Sequence, residues 1–91
     1  MNTVTQEFIV ENELGLHARP SSSLVKKANE FQSQISIATE DGEVVDGKSI
    51  LGIMLLGAGK GTKLKITAEG NDATEAIYAL SGLFKDKFGE N

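Results

Sequence analysis

Residues 15–20, with the sequence GLHARP, contain the only histidine, the only arginine and the only proline of the chain. Histidine is the side chain that changes charge near neutral pH. Proline favours the first turn of a helix, so His17 is predicted to lie directly before a helix, where free N–H groups and the helix dipole attract an anion. Arg19 adds a cation that can hold two phosphoryl oxygens. These residue types predict a phosphoryl group carried on histidine.

The donors of this site are expected at the start of the helix, around Ala18, Arg19 and Ser21. The ring nitrogen nearer the backbone, Nδ1, can face these donors, although the sequence alone does not fix the tautomer. The alternative interpretation is a solvated surface histidine after an ordinary glycine turn, since short motifs of this kind occur by chance.

Ser49 precedes a second apolar run, and serine is a preferred residue at a helix N-cap. A short helix is predicted from Ser49 to near Gly57, with Ile53 and Leu56 facing inward. Three apolar residues would then lie on its outer face, Ile50, Leu51 and Met54, and Leu55 is a further candidate for that face. A small protein seldom exposes such a patch without a use, which predicts partner docking. The alternative is that these side chains pack under a neighbouring loop.

Residues 42–49, GEVVDGKS, match the P-loop pattern G-x-x-x-x-G-K-[ST]. A working P-loop requires its middle residues to form a loop that wraps phosphates. Here Val44 and Val45 follow the hairpin signal Asp41-Gly42 and favour a returning strand. Nucleotide hydrolysis is therefore not expected.

The composition excludes several other classes of function. The chain has 91 residues, which is the size of one domain spanning residues 1–91, with no cysteine and a net charge of −4. Neither a disulfide nor a thiolate metal site can form, one histidine makes a zinc site improbable, and no cofactor is indicated. The acidic balance argues against nucleic acid as a partner. Without a long apolar run or signal peptide, no membrane insertion and a cytoplasmic location are expected.

Hydrophobic periodicity predicts the order strand, helix, strand, strand, helix, strand, helix. The predicted elements are a strand at 6–11, a helix at 20–31, strands at 34–39 and 43–46, a helix at 49–57, a strand at 63–69 and a helix after Asp72. Asp72 and Glu75 predict a capping box for the last helix, and its apolar stripe is expected to run to Phe88. One-sided alternation predicts an α+β open-faced β-sandwich, with a four-stranded antiparallel sheet and three helices on one face.

GLHARP, followed by GKSILGIM and LGAGKGT, resembles the HPr family, the histidine-containing phosphocarriers of the bacterial phosphoenolpyruvate-dependent phosphotransferase system. The resemblance covers nearly the whole chain and implies the same fold. It implies His17 as phosphoacceptor through Nδ1, with Arg19 beside it, and regulatory phosphorylation of Ser49 by a serine kinase/phosphorylase. It also implies that the patch near Ser49 docks enzyme I, enzyme IIA domains and that kinase. Residues 21–23, all serine, depart from the family's small apolar residues, and a monomer is expected.

Three functions remain open at this point. The leading one is a phosphocarrier in sugar transport. The second is a regulatory binding module, either a nitrogen-type or a serine-phosphorylated paralogue, that acts by protein–protein interaction. The third is a small enzyme with His17 as general base, which needs a nearby carboxylate; Glu11 and Glu13 are the near candidates in the sequence.

Overall fold

The structure, a computed structural model, describes residues 2–90, and its elements follow the predicted order. The elements are β1 (Asn2–Ile9), α1 (Ala18–Ala28), β2 (Gln34–Thr39), β3 (Val44–Asp46), α2 (Ile50–Leu55), β4 (Lys63–Gly70) and α3 (Ala73–Lys85), followed by a short 3₁₀ segment, Lys87–Gly89. The strand predicted at 34–39 has the same bounds in the structure. Among residues 2–90, no helix combines the length and the apolar character needed to cross a bilayer.

The four strands form one antiparallel sheet in the order β1-β4-β2-β3. In this register Phe8 lies opposite Leu64, and Ile37 lies opposite Ile66, so their side chains share one face. That face is buried under the helices, which contribute Leu24, Ile53, Ile77, Leu80 and Phe84 to the core. The predicted open-faced β-sandwich is confirmed.

Strand β1 begins at Asn2, four residues earlier than its predicted start. Its pairing with β4 continues to the end, where Asn2 lies opposite Gly70. Most of the first six residues of β1 are exposed, because the strand lies at the edge of the sheet. Backbone pairing, rather than burial of side chains, therefore defines this part of the strand. Pairing alone produces no alternation of apolar and polar residues, so the sequence did not predict it.

Helix α1 ends at Ala28, three residues before the predicted end at Phe31. The amide of Glu30 donates to the carbonyl of Lys27, and the amide of Phe31 donates to the carbonyl of Ala28, in the tighter i to i−3 pattern. The side chain of Asn29 also donates to the carbonyl of Val25 at 3.0 Å. These bonds satisfy the last carbonyls of the helix and end its regular geometry.

The predicted capping box of α3 is wrong, because the side chain of Asp72 makes no hydrogen bond to the helix. Its carboxylate instead accepts the amides of Gln32 and Ser33, at 2.8 and 2.9 Å, and the Ser33 hydroxyl at 2.5 Å. Asp72 thus joins the start of α3 to the residues before β2. Phe88 is buried as predicted, but it lies beyond the end of α3 in the 3₁₀ segment.

We expect Asp72→Asn to lower the melting temperature by several degrees at neutral pH. The Ser33 hydroxyl, followed by the Gln32 amide, holds the pKa of Asp72 below its ordinary value of 3.8. A lowered pKa contributes stability that is present above the unfolded-state value and is lost as the pH falls through the folded-state value. The difference in melting temperature between wild type and Asp72→Asn should therefore become smaller as the pH falls below about 4.

The measurement is thermal unfolding from acidic to neutral pH, with Ser33→Ala as the milder comparison because it removes only the hydroxyl donor. Equal melting temperatures of wild type and Asp72→Asn at neutral pH would contradict the assigned role of Asp72.

Candidate functional site

His17 is the N-cap residue of α1, as the proline in the following turn predicts. The chain reaches it through Gly15, which has a φ of +67°. A side chain at Gly15 would place its Cβ 2.4 Å from the carbonyl oxygen of Ala58, so this close approach requires glycine. The amide of Leu16 then donates to the same carbonyl at 2.8 Å. His17 is therefore fixed between the start of α1 and the loop that follows α2.

The imidazole of His17 is bound through one nitrogen. Nε2 lies 2.9 Å from Oε2 and 3.0 Å from Oε1 of Glu90. An ionised carboxylate only accepts hydrogen bonds, so Nε2 carries the proton and donates it. Among residues 2–90, no group is hydrogen-bonded to Nδ1. The His17 side chain is 37% exposed and that of Glu90 is 15% exposed, so the ring remains accessible.

Asn12 connects the carboxylate to the backbone of the site. It is fully buried, and its Nδ2 donates to Oε1 of Glu90 at 3.0 Å and to the carbonyl of Gly15 at 2.7 Å. The hydrogen bond from His17 is the largest influence on Glu90 and holds the pKa of its carboxyl below the ordinary value, against the opposing effect of desolvation. Asn12 and the positive charge of Arg19 lower this pKa further.

Sequence reasoning missed Glu90 and Asn12. The carboxylates it considered lie elsewhere, because Glu13 pairs with Lys60 at 3.1 Å and Glu11 is exposed. Glu90 is separated from His17 by 73 residues, and only the folded chain brings the two together. The glycine before Glu90 was the sole local signal of a turn there.

The first turn of α1 supplies the other groups predicted for the site. Ala18 and Arg19 are exposed, and their amides have no acceptor within the helix because they belong to its first residues. Ser21 is not placed as expected. It is buried, its hydroxyl donates to the carbonyl of Leu16 at 3.0 Å, and its amide donates to the carbonyl of His17. Neither group of Ser21 is free to receive a phosphoryl oxygen.

The predicted helix start at Ser49 is confirmed. Ser49 is the N-cap of α2, and its hydroxyl accepts the amide of Gly52 at 3.0 Å. Ile53 is fully buried and Leu56 is half-buried, in agreement with the predicted inner face. On the outer face, the exposed fractions are 43% for Ile50, 68% for Leu51 and 43% for Met54, and Leu55 is also exposed.

Helix α2 packs beside α1, and the loop after α2 contacts Leu16 next to His17. Ser49 lies at the start of α2, and Ala58, which follows the end of α2, accepts the hydrogen bond of Leu16 next to His17. We define the exposed residues Ile50, Leu51, Met54 and Leu55 as the α2 patch.

The remaining motifs form no competing site. Residues 44–46 of the P-loop match are strand β3, so they cannot wrap a phosphate. Among residues 2–90 there is no group of three or more side chains suited to hold a metal ion. Four clefts on the described part of the chain are lined by residues other than His17.

The chain is similar to several known proteins. The family model described as "PTS HPr component phosphorylation site" matches residues 4–86. The phosphocarrier protein HPr of Xylella fastidiosa (strain 9a5c) is 45% identical over 85 residues, which are 93% of this chain and 94% of that protein. A multiphosphoryl transfer protein of Haemophilus influenzae is 42% identical over 97% of this chain, which is 18% of its own length. The crystal structure of HPr-C-His from Thermoanaerobacter tengcongensis has a TM-score of 0.88 and 45% identity, covering 100% of this chain and 99% of that one.

Proposed function

Because the chain belongs to the HPr family of phosphocarriers, we propose that it accepts a phosphoryl group on His17 from phosphorylated enzyme I and passes it to enzyme IIA domains. The observation that carries this proposal is the state of the His17 ring. Nε2 is engaged by Glu90, and Nδ1 has no partner among residues 2–90 in a half-exposed side chain. Nδ1 is therefore the nitrogen whose lone pair can attack phosphorus.

The start of α1 can hold the group once it is transferred. The amides of Ala18 and Arg19 and the guanidinium of Arg19 are the donors for its oxygens. All three lie on an exposed surface, so they bind the anion weakly enough to release it to the next protein. A closed cage of donors would trap the group instead. This balance suits a carrier that must both accept and deliver.

The arrangement favours a carrier over an enzyme. The pairing of His17 with a carboxylate would also suit a general base. A general base, however, acts on a substrate bound beside it, and the four clefts on the described part of the chain do not include His17. The substrate of this site is the phosphoryl group of another protein, which brings its own binding surface. Because enzyme I and enzyme IIA domains act in the cytoplasm, the proposal includes a cytoplasmic location. It also includes residues 1–91 forming one phosphocarrier domain.

Regulation through Ser49 is the second part of the proposal. A serine kinase would transfer phosphate to the hydroxyl at the start of α2, directly beside the exposed Ile50. The added charge is compatible with a helix start and would alter the surface that partners contact. A module that acts only through this modification, without carrying phosphate on His17, is the second candidate function.

The direct test incubates the protein with phosphoenolpyruvate and enzyme I, and measures bound phosphate by mass spectrometry before and after mild acid. Acid-labile phosphate supports the carrier. If the protein takes up no phosphate from enzyme I but acquires acid-stable phosphate from a serine kinase, the carrier function is wrong and the regulatory module is supported.

We expect Leu51→Glu to weaken the docking of enzyme I through the α2 patch. Leu51 is 68% exposed, so the folded chain tolerates a carboxylate there, whereas docking would have to desolvate it. The KM for the protein as substrate of enzyme I should rise by about tenfold, with a change in melting temperature within about 3 °C. Met54→Glu should act in the same direction.

The matched control is Val44→Glu, because Val44 is similarly exposed, at 64%, on the strand face away from the helices. The control should leave the KM unchanged. An equal KM for Leu51→Glu and wild type would remove the α2 patch from the docking surface.

A further inference from the structure

We propose that the exposed side of α3 is an interface between two copies of this chain, which associate through their α3 helices in antiparallel orientation. The proposal is carried by four residues that we define as the α3 stripe: Glu75, Tyr78, Gly82 and Lys85. They follow one another at intervals of three, four and three residues, so they form one line along the helix. The stripe contains no residue of the phosphoryl site or of the α2 patch, so this inference goes beyond the proposed function.

The α3 stripe lies on the side of the helix away from the core. All four of its residues are exposed. The core-facing side of the helix is formed instead by its buried residues Ala73, Ala76, Ile77, Leu80 and Phe84. The ion pairs within residues 2–90 involve neither Glu75 nor Lys85. Both charges of the stripe are therefore available to a second molecule.

The two middle residues of the stripe are unfavourable in an isolated chain. Tyr78 is the only tyrosine and is 79% exposed, so most of its apolar ring is in water. Gly82 lies inside α3, where glycine is less stable than alanine because it loses more backbone freedom. Apart from its own helix backbone and its two chain neighbours, no described atom lies within 4 Å of where a Cβ at Gly82 would stand. Packing within the chain does not require glycine there, whereas a close approach from outside does.

The spacing of the stripe is complementary to itself in the antiparallel direction. When two copies of α3 are related by a two-fold axis beside Leu80, Tyr78 faces Gly82 of the second copy, and Glu75 faces Lys85 of the second copy. The aromatic ring fills the space that glycine leaves, and two symmetry-related pairs of opposite charge meet at the ends. A parallel arrangement would instead place each charged residue against its own copy. The antiparallel direction also brings the positive start of each helix beside the negative end of the other.

The size of this interface predicts weak association. Helix α3 has 13 residues and is about 20 Å long, so one stripe of it buries less surface than the roughly 1,200 Å² of a stable interface. We therefore expect a dissociation constant of about 0.1–1 mM. The monomer expected from the family resemblance is then the form of the chain at low concentration.

Sedimentation velocity from about 10 μM to about 1 mM tests the interface through its charges. Glu75→Lys and Lys85→Glu should each weaken association about tenfold, because each places like charges at both ends of the interface. An equimolar mixture of the two variants should associate about as tightly as wild type, since the mixed dimer again pairs lysine with glutamate at both ends. Glu43→Lys is the matched control, because it makes the same change of charge at an exposed position away from α3. The control should associate like wild type.

Gly82→Gln separates a role in association from a role in folding. Glutamine is a better helix former than glycine, and no other part of the chain occupies its place, so the melting temperature at the lowest concentration should rise. The same side chain would occupy the space of Tyr78 of the second copy, so association should fall at least tenfold.

Three results would each overturn the proposal. The first is a wild-type chain that stays monomeric throughout the concentration range, as expected if the stripe binds a different protein. The second is a mixture of Glu75→Lys and Lys85→Glu that associates no better than either variant alone. The third is a folded Gly82→Gln variant that associates like wild type.

Discussion

His17→Ala is expected to take up no acid-labile phosphate from phosphoenolpyruvate and enzyme I. The chain has a single histidine, so no second imidazole can replace it. The helix amides and Arg19 can hold phosphoryl oxygens, but neither amides nor a guanidinium that stays protonated offers a nucleophilic lone pair. The loss should therefore be complete rather than partial.

The fold should survive this substitution. His17 caps α1 with its backbone alone, because its side chain makes no capping hydrogen bond, and the ring lies outside the core. Circular dichroism and thermal unfolding check that the variant is folded. Ser49→Ala is the matched control, because it removes the other proposed acceptor and should still take up phosphate from enzyme I. Normal acid-labile uptake by His17→Ala would end the phosphohistidine proposal.

The fold was predictable wherever burial leaves a period in the sequence. Ile35 and Ile37 alternate with polar residues, and the bounds of β2 were predicted correctly. At the edge of the sheet the backbone pairs with β4 while the side chains remain exposed, so the start of β1 left no such period. The carboxylate of Asp72 could accept hydrogen bonds from the amides at the start of α3 or from donors distant in the sequence. It binds the distant donors, Gln32 and Ser33. The spacing of residues in the sequence indicates only the capping of α3.

The site, like the fold, has a part that the sequence predicted and a part that it did not. The position of His17 followed from local rules, because proline, glycine and the helix start act within a few residues of the histidine. The ring's hydrogen-bond partner did not follow, because Glu90 reaches it through the turn after α3. Phe88 was predicted to continue the apolar stripe of the last helix, and the prediction that it is buried is confirmed. Its left-handed φ of 55°, which redirects the chain toward His17, has no signature in an apolar residue.

Ser49→Asp should slow phosphorylation of His17 through the partner, while the fold is kept. Aspartate is as good an N-cap as serine, and it can accept the amide of Gly52 in the same way. Its charge at this half-buried helix start should contribute about 0.3–1 kcal/mol of stability. The melting temperature is therefore expected to stay equal to that of wild type or to rise slightly.

The same charge stands next to Ile50 and Leu51, which would lose water when enzyme I docks. Burying an anion against a partner costs far more than the gain at the helix start, so association should weaken, with a rise in KM of about tenfold or more. Thr74→Asp is the matched control, because it adds the same charge at the exposed start of α3. Kinetics at rising enzyme I concentration decide the matter, since a defect in association disappears at saturation. A variant that stays slow at saturation, or a control that is equally slow, would show that Ser49 does not act by blocking the docking surface.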